Sequence, residues 1–199
     1  MIYFSLTNNY LKKKFSQTFI FVSYLKMFFS QDIKYITFNN NQLNIYLKKY
    51  NFDIFFFFKK HTFFQYKQLI DIIGIDNAQP NQRFSLIYTL LSLKYNNRVN
   101  IHCPTQELLT IQTLNTLYSS ASWSEREVWD LFGVFFFSNT DLRRILTDYG
   151  FEGHPLRKDF PLSGFVELFF DESTQQLYYS KIALTQEYRD FKFSNPWLK

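Results

Sequence analysis

Cysteine occurs once in this 199-residue chain, histidine three times, and glycine and proline five times each. One thiol excludes an internal disulfide framework. It also excludes a self-contained iron–sulfur cluster or a cysteine-rich zinc site, which need several thiolates from one chain. The glycines stand at 74, 133, 150, 153 and 164. No two are two apart and none precedes a lysine, so the dinucleotide fingerprint and the Walker A loop are both missing. Arginine is absent before Arg83, which argues against an Arg-rich presequence. No apolar run approaches the roughly 20 residues of a membrane-spanning helix. Phe15–Leu25 contains Ser16, Gln17 and Thr18, and Phe55–Phe58 is closed by Lys59 and Lys60. Lys12–Lys14 before an apolar run resembles a secretory signal, but no small-residue cleavage site follows. The expectation is a soluble or peripheral protein made where it works.

What the chain has in excess is aromatic: 26 Phe and 14 Tyr, with Asn, Ile and Lys also frequent. These residues have A/T-rich codons, so the composition reads as coding bias of an A/T-rich, organellar genome, or else as an unusually aromatic nuclear-encoded protein. Charge is uneven. Residues 1–60 carry nine Lys against two Asp, whereas residues 121–172 carry five basic and ten acidic residues. A basic arm fits anionic lipid, nucleic acid, an acidic protein surface, or simply a solvated Lys-rich face.

Apolar spacing predicts a helix over residues 10–30, and Gln42–Lys49 alternates as a half-buried strand. Phe52–Phe64 follows as a helix. Leu69–Ile75 reads as a strand ending in a loop with Pro80, and Phe84–Tyr95 and Arg98–His102 as a hairpin turning at Asn96-Asn97. The fold class is α+β: a small mixed sheet in the order β-α-β-β-β with one face covered by a helix. A helical segment and a long extended C-terminal region follow it. Ser122 or Ser124, each three residues before Glu125 or Glu127, supplies a capping box for the next helix. Val128, Trp129 and Phe132 form its apolar face, and Gly133 its left-handed C-terminal cap. A second short helix is expected from Thr140 or Asp141 to Leu146. Residues 147–164 have neither period and form an ordered, extended segment lying on another surface. A strand at Phe165–Phe170 precedes a tail with little core of its own.

Several groups are candidates for chemistry. His154 lies among Asp148, Glu152, Arg157, Lys158 and Asp159, a set able to bind a metal, act in acid–base catalysis, or form a charge-rich contact loop. His102 and Cys103 are adjacent and point to opposite faces of a strand. Gly150-Phe-Glu-Gly153 has the form of a phosphate-contacting GXXG loop, with an unfavourable glutamate inside it. Trp123, Trp129 and Phe132 suit either base stacking or a core. Arg143 and Arg144 suit pairing with a buried carboxylate at an interface, or exposure.

The stretch SASWSEREVWDLFGVFF, Ser120 to Phe136, resembles a signature of the thirty-kilodalton (C) subunit family of respiratory complex I, whose mitochondrial form is NADH dehydrogenase subunit 9. DLRRILTDYGFEGHPLRKDFPLSGFVELFFDE, Asp141 to Glu172, resembles its second signature. Tyr66–Ile72, Tyr88–Asn96 and Leu184–Trp197 match further family segments. Asn139-Thr140 stands where the family has His-Pro. The resemblance covers residues 40–199 and implies a non-catalytic core subunit of the matrix-facing arm, peripheral to the mitochondrial inner membrane. It implies no cofactor bound by this chain, within a complex that uses FMN and iron–sulfur clusters. The implied partners are other complex I subunits, chiefly the forty-nine-kilodalton subunit, with no nucleic acid and no membrane span. The expected organisation is a basic helical extension (residues 1–39), an α+β domain (40–135) and a docking segment (136–199). The expected docking residues are Glu125, Arg126, Glu127, Arg143, Arg144, Asp148, Gly150, Gly153, His154, Arg157, Lys158 and Asp159. Two other readings remain: a mitochondrial ribosomal protein and a hydrolase built on His154. The acidic balance of the most elaborate window weighs against an RNA-facing role.

Overall fold

Period-2 alternation decides the sheet. In a computed structural model describing residues 20–39, 42–77, 82–186 and 189, five strands pair in the order β1-β2-β5-β4-β3. They are β1 (Ile33–Asn39), β2 (Gln42–Leu47), β3 (Gln68–Asp76), β4 (Phe84–Ser92) and β5 (Asn97–Thr105). Strand β2 runs parallel to β5 and every other pairing is antiparallel. Alternate residues of β2, β4 and β5 are buried, as their sequences require. The edge strand β1 was not anticipated, because its burial pattern does not alternate. The hairpin turn lies at residues 93–96 rather than at Asn96-Asn97, since Asn97 already pairs with Ser92. Asn96 takes the positive φ that this turn needs.

One face of the sheet is covered. Helix α2 (Phe52–Lys60) buries Ile54, Phe55 and Phe58; it ends four residues earlier than the Phe-rich sequence indicated, at His61. Its N-cap is Asn51, whose side chain accepts from the Asp53 N–H, satisfying an orphan donor of the first turn. Residues 20–29 form helix α1, with Leu25 fully buried. The rest of the helix expected over 10–30, and the loop around Pro80, lie outside the described residues. Helix α3 (Ala121–Phe132) packs on β3, where Gly74 lets the Phe132 ring approach: a Cβ there would lie 2.6 Å from it. The short parallel pair β6 (Ile111–Gln112) and β7 (Phe136–Phe137) brings the chain after α3 back beside the chain before it.

The chain divides into two compact units, residues 1–158 and 159–199. The second contains a hairpin, β8 (Val166–Asp171) with β9 (Gln176–Lys181). Strand β9 lies where only a tail with little core of its own was expected. The expected helix from 140 to 146 does not form; that stretch is irregular, and the reason lies in α3.

Candidate functional site

Helix α3 carries three of its four charges, Glu125, Arg126 and Asp130, on buried positions. Ala121, Glu125, Val128 and Phe132 recur at helical spacing toward the core, and Arg126 and Asp130, one turn apart, occupy the adjoining stripe. All six are buried. A buried carboxylate persists only when donors surround it, and the sequence supplies them from flanking segments.

Glu125 and Asp130 are both fully excluded from solvent. Glu125 Oε1 accepts from the Leu114 N–H at 2.7 Å, and Oε2 from the Thr113 hydroxyl at 2.6 Å and the Asn139 amide at 2.9 Å. It is therefore not the reciprocal member of a capping box. The N-cap is Ser120, whose hydroxyl donates to the Leu69 carbonyl instead of capping the helix. Asp130 Oδ2 accepts from the N–H groups of Ile145, Leu146 and Thr147 at 3.1, 2.7 and 2.9 Å. Its Oδ1 takes the Thr147 hydroxyl at 2.6 Å and Arg144 Nη1 at 3.1 Å. Three consecutive N–H groups aimed at one oxygen make an anion-binding nest. That is why the segment leading to Thr147 forgoes a helix: the Asp141 N–H goes to the Asn139 side chain and those of Ile145, Leu146 and Thr147 to Asp130, not to carbonyls one turn back.

The two acids shift in opposite directions. Burial would raise Asp130, but the hydroxyl and N–H of Thr147 and the N–H groups of Leu146 and Ile145 outweigh it and hold the group at about 2. Burial raises Glu125 above the usual carboxylate range, opposed only in part by Thr113, Leu114 and Asn139.

The segment GHPLR finishes the helix. The last four carbonyls of a helix lack intrahelical donors, and here each is met. The Gly133 N–H donates to Trp129 O at 2.9 Å, His154 Nδ1–H to Asp130 O at 2.9 Å, the Leu156 N–H to Leu131 O at 3.1 Å, and Arg157 Nε to Phe132 O at 2.6 Å. A carbonyl can only accept, so Nδ1 carries the proton. Burial lowers the His154 pKa, opposed by the hydrogen bond to the Asp130 carbonyl and the Asp130 charge, and the neighbouring Arg157 and Arg144 charges lower it further. Gly133 caps the helix with φ of 76°, as its position indicated. A Cβ there would crowd the His154 ring at 2.6 Å and the Arg157 guanidinium. Arg157 also pairs with Glu107 and lies over the Phe84 ring. The Lys158 N–H donates to the buried Asp76 carboxylate.

Of the residues expected to dock a partner, Glu125, Arg126, Arg144, His154 and Arg157 are thus engaged by their own chain. Arg126 donates to the Arg143 carbonyl and stacks on Trp123. Trp123 is 65 % exposed, so it is not the core residue that helix-face reasoning favoured; Trp129, half-buried, packs edge-on against His154. Glu127, Arg143, Asp148, Gly150, Gly153, Lys158 and Asp159 are exposed. Sequence reasoning missed Asp130, Thr147, Thr113 and Asn139. The available signal was an acid inside an apolar helix. Asn139 donates to Glu125 and accepts from the Asp141 N–H.

Among the described residues, no three His, Cys, Asp or Glu side chains form a metal-binding group. Cys103 is fully buried in β5, and burial pushes its thiol far above its ordinary value. Iron–sulfur clusters need several thiolates, so these residues do not fit one.

Residues 47–166 match the family described as "Respiratory-chain NADH dehydrogenase, 30 Kd subunit". The chain is 50% identical over 148 residues to NADH dehydrogenase [ubiquinone] iron-sulfur protein 3 of Solanum tuberosum, covering 74% of this chain and 78% of that one. It is 42% identical over 177 residues to NADH-ubiquinone oxidoreductase subunit 9 of Reclinomonas americana, covering 88% and 86%. A solved trypsin-resistant fragment of Nqo5 superposes with a TM-score of 0.53 at 26% identity, over 63% of this chain and 99% of that one. A chain of the archaeal membrane-bound sulfane sulfur reductase shares the fold at 20% identity, with a TM-score of 0.61 over 74% and 86%. These matches lend no support to the ribosomal reading, and on the family match and the half-identical relative together, the chain belongs to the 30 kDa subunit family of respiratory-chain NADH dehydrogenase.

Proposed function

We propose that the chain is a non-catalytic scaffold in the matrix arm of mitochondrial NADH:ubiquinone oxidoreductase, peripheral to the inner membrane, and that its chief partner is the forty-nine-kilodalton subunit. The observation that carries this is the use of its polar groups. Glu125, Asp130 and His154, the side chains best suited to proton transfer, are committed to backbone and side-chain partners within the chain. Meanwhile Glu127, Arg143, Asp148, Gly150, Gly153, Lys158 and Asp159 are exposed, as are the large apolar side chains of the hairpin beyond them. The FMN and iron–sulfur clusters of such a complex then belong to other subunits. The docking surface comprises Glu127, Arg143, Asp148, Gly150, Gly153, Lys158 and Asp159, held in place by the buried Glu125 and Arg126 and the half-buried Arg144, His154 and Arg157.

The test is assembly against turnover. His154→Ala, Arg157→Ala and Gly153→Ala should each reduce the NADH:quinone reductase band on a native gel while leaving turnover per flavin near normal. Full assembly with turnover abolished in His154→Ala would overturn the scaffold reading. Mass spectrometry of the captured complex tests the forty-nine-kilodalton partner directly.

A further inference from the structure

Helix α1 is apolar on two opposite sides. Eight of residues 20–29 are apolar, with Ser23 and Lys26 the exceptions. Phe21, Val22, Leu25 and Phe29 turn toward the core, and Phe21 packs on Phe64 with ring centroids 4.2 Å apart. Ile20, Tyr24, Met27 and Phe28 stand at i, i+4, i+7 and i+8 on the other side, all exposed; Met27 is 76 % exposed. Tyr24 stacks on Phe63, itself 63 % exposed, and Phe28 packs on Phe57. The second stripe therefore runs continuously onto the end of α2. A helix that is apolar all round is normally covered all round, and the i, i+4, i+7 spacing is the one by which helices seat against each other.

The rim decides what sits there. Lys26 lies on α1 beside the stripe and Lys60 at the C-terminus of α2, both exposed and without an ion-pair partner among the described residues. Residues 1–19 hold three lysines and no carboxylate, so they do not complement this charge. We infer that the outer stripe of α1, continued by Phe63, is the seat of an amphipathic helix from another protein whose apolar side is flanked by Asp or Glu facing Lys26 and Lys60. Among the described residues the stripe is one helix wide with Lys26 and Lys60 as its flanking cations, whereas a lipid-binding helix relies on a broad basic face.

This rests on the proposed subunit role only for where the partner is found. The assembly captured through this chain from mitochondria is treated with a zero-length carbodiimide, and its products are read by mass spectrometry. Lys26 and Lys60 should couple to carboxylates spaced three or four residues apart in one segment of another chain. In parallel, hydroxyl-radical oxidation of Met27 should be at least about tenfold slower in the assembly than in the released chain, as expected where contacts exclude water. Lys26→Glu should lose the crosslinks and the protection, and Lys26→Arg should retain the protection. Crosslinks confined to this chain, or Met27 oxidised equally fast in both states, would overturn the inference. So would protection of Met27 by vesicles of phosphatidylserine and phosphatidylcholine without any carboxylate crosslink. If the captured assembly lacks NADH dehydrogenase activity, the subunit role fails, while the crosslinks still decide the helix seat.

Discussion

In the α3 node each buried charge is met by a donor or acceptor of the same chain, whereas in the β8–β9 hairpin large apolar side chains on both faces meet solvent. Phe169 with Tyr178, and Phe170 with Leu177, are cross-strand pairs on opposite faces, and all four are exposed. A two-stranded hairpin is marginal by itself, and contiguous apolar surface marks an interaction site. The node is the converse case. Leaving one partner of such a buried set unmade costs far more than the net worth of the bond. One region is completed within the chain; the other is built to be completed by contact. The same distinction separates the inner and outer stripes of α1.

The largest expected effect comes from Asp130→Ala, which strands three N–H groups, a hydroxyl and Arg144. It should lower stability by about 3–5 kcal/mol, read as a fall in the urea midpoint. A loss below about 1 kcal/mol would show that the node is not self-contained.

Acid should separate the regions next. Asp130 is held at about 2, against about 3.9 in the unfolded chain. A depressed folded value stabilises above the unfolded pKa, and that contribution is lost as pH falls from about 4 toward 2. Glu125, raised on folding, acts with the opposite sign: its contribution is present below its unfolded value and is lost as pH rises through the folded one. Chemical unfolding between about pH 5 and 2 should show a shallower acid loss in Asp130→Asn than in the parent chain. Equal slopes would assign the acid sensitivity elsewhere.

Gly133→Ala should cost about 1–3 kcal/mol, because a Cβ at positive φ is strained and also displaces the His154 ring. Gly133→Asn should cost less, since asparagine tolerates that backbone conformation. Parity of the two by thermal unfolding would assign the cost to crowding rather than to φ. The smallest effect on stability belongs to the hairpin. Phe169→Ser should shift unfolding by no more than about 0.5 kcal/mol, yet lower the fraction of chain recovered in the assembled complex. A destabilisation as large as that of Asp130→Ala would erase the contrast.

Local rules made much of the fold legible. Alternation marked β2, the Asn96-Asn97 turn signal marked the β4–β5 hairpin, the glycine at 133 marked the end of α3, and the Phe-rich run after β2 marked α2. The motif stretches identified the family before any geometry was known. The misses share a cause. Ser122 and Glu125 have the spacing of a capping box, yet Glu125 turns to Thr113, Leu114 and Asn139, which only the β6–β7 pairing brings within reach. Residues 141–146 have helix-forming character, yet the Ile145 and Leu146 N–H groups go to Asp130 and that of Asp141 to Asn139. His154 and Arg157 read as members of a charge-rich contact loop because the carbonyls they satisfy lie more than twenty residues away in sequence.

By itself, the sequence determined the α+β class, the positions of the central strands, the ligand poverty that excludes a cluster, and the family, because these depend on periodicity, residue counts and motif identity. Tertiary structure alone decided that the most distinctive charged motif closes on itself as the nest around Asp130 and the cap of α3, and that the outer stripe of α1 and the hairpin remain open. The physical reason is that a hydrogen bond is settled by which donors come within about 3 Å in space, and chain folding, not sequence spacing, sets that distance.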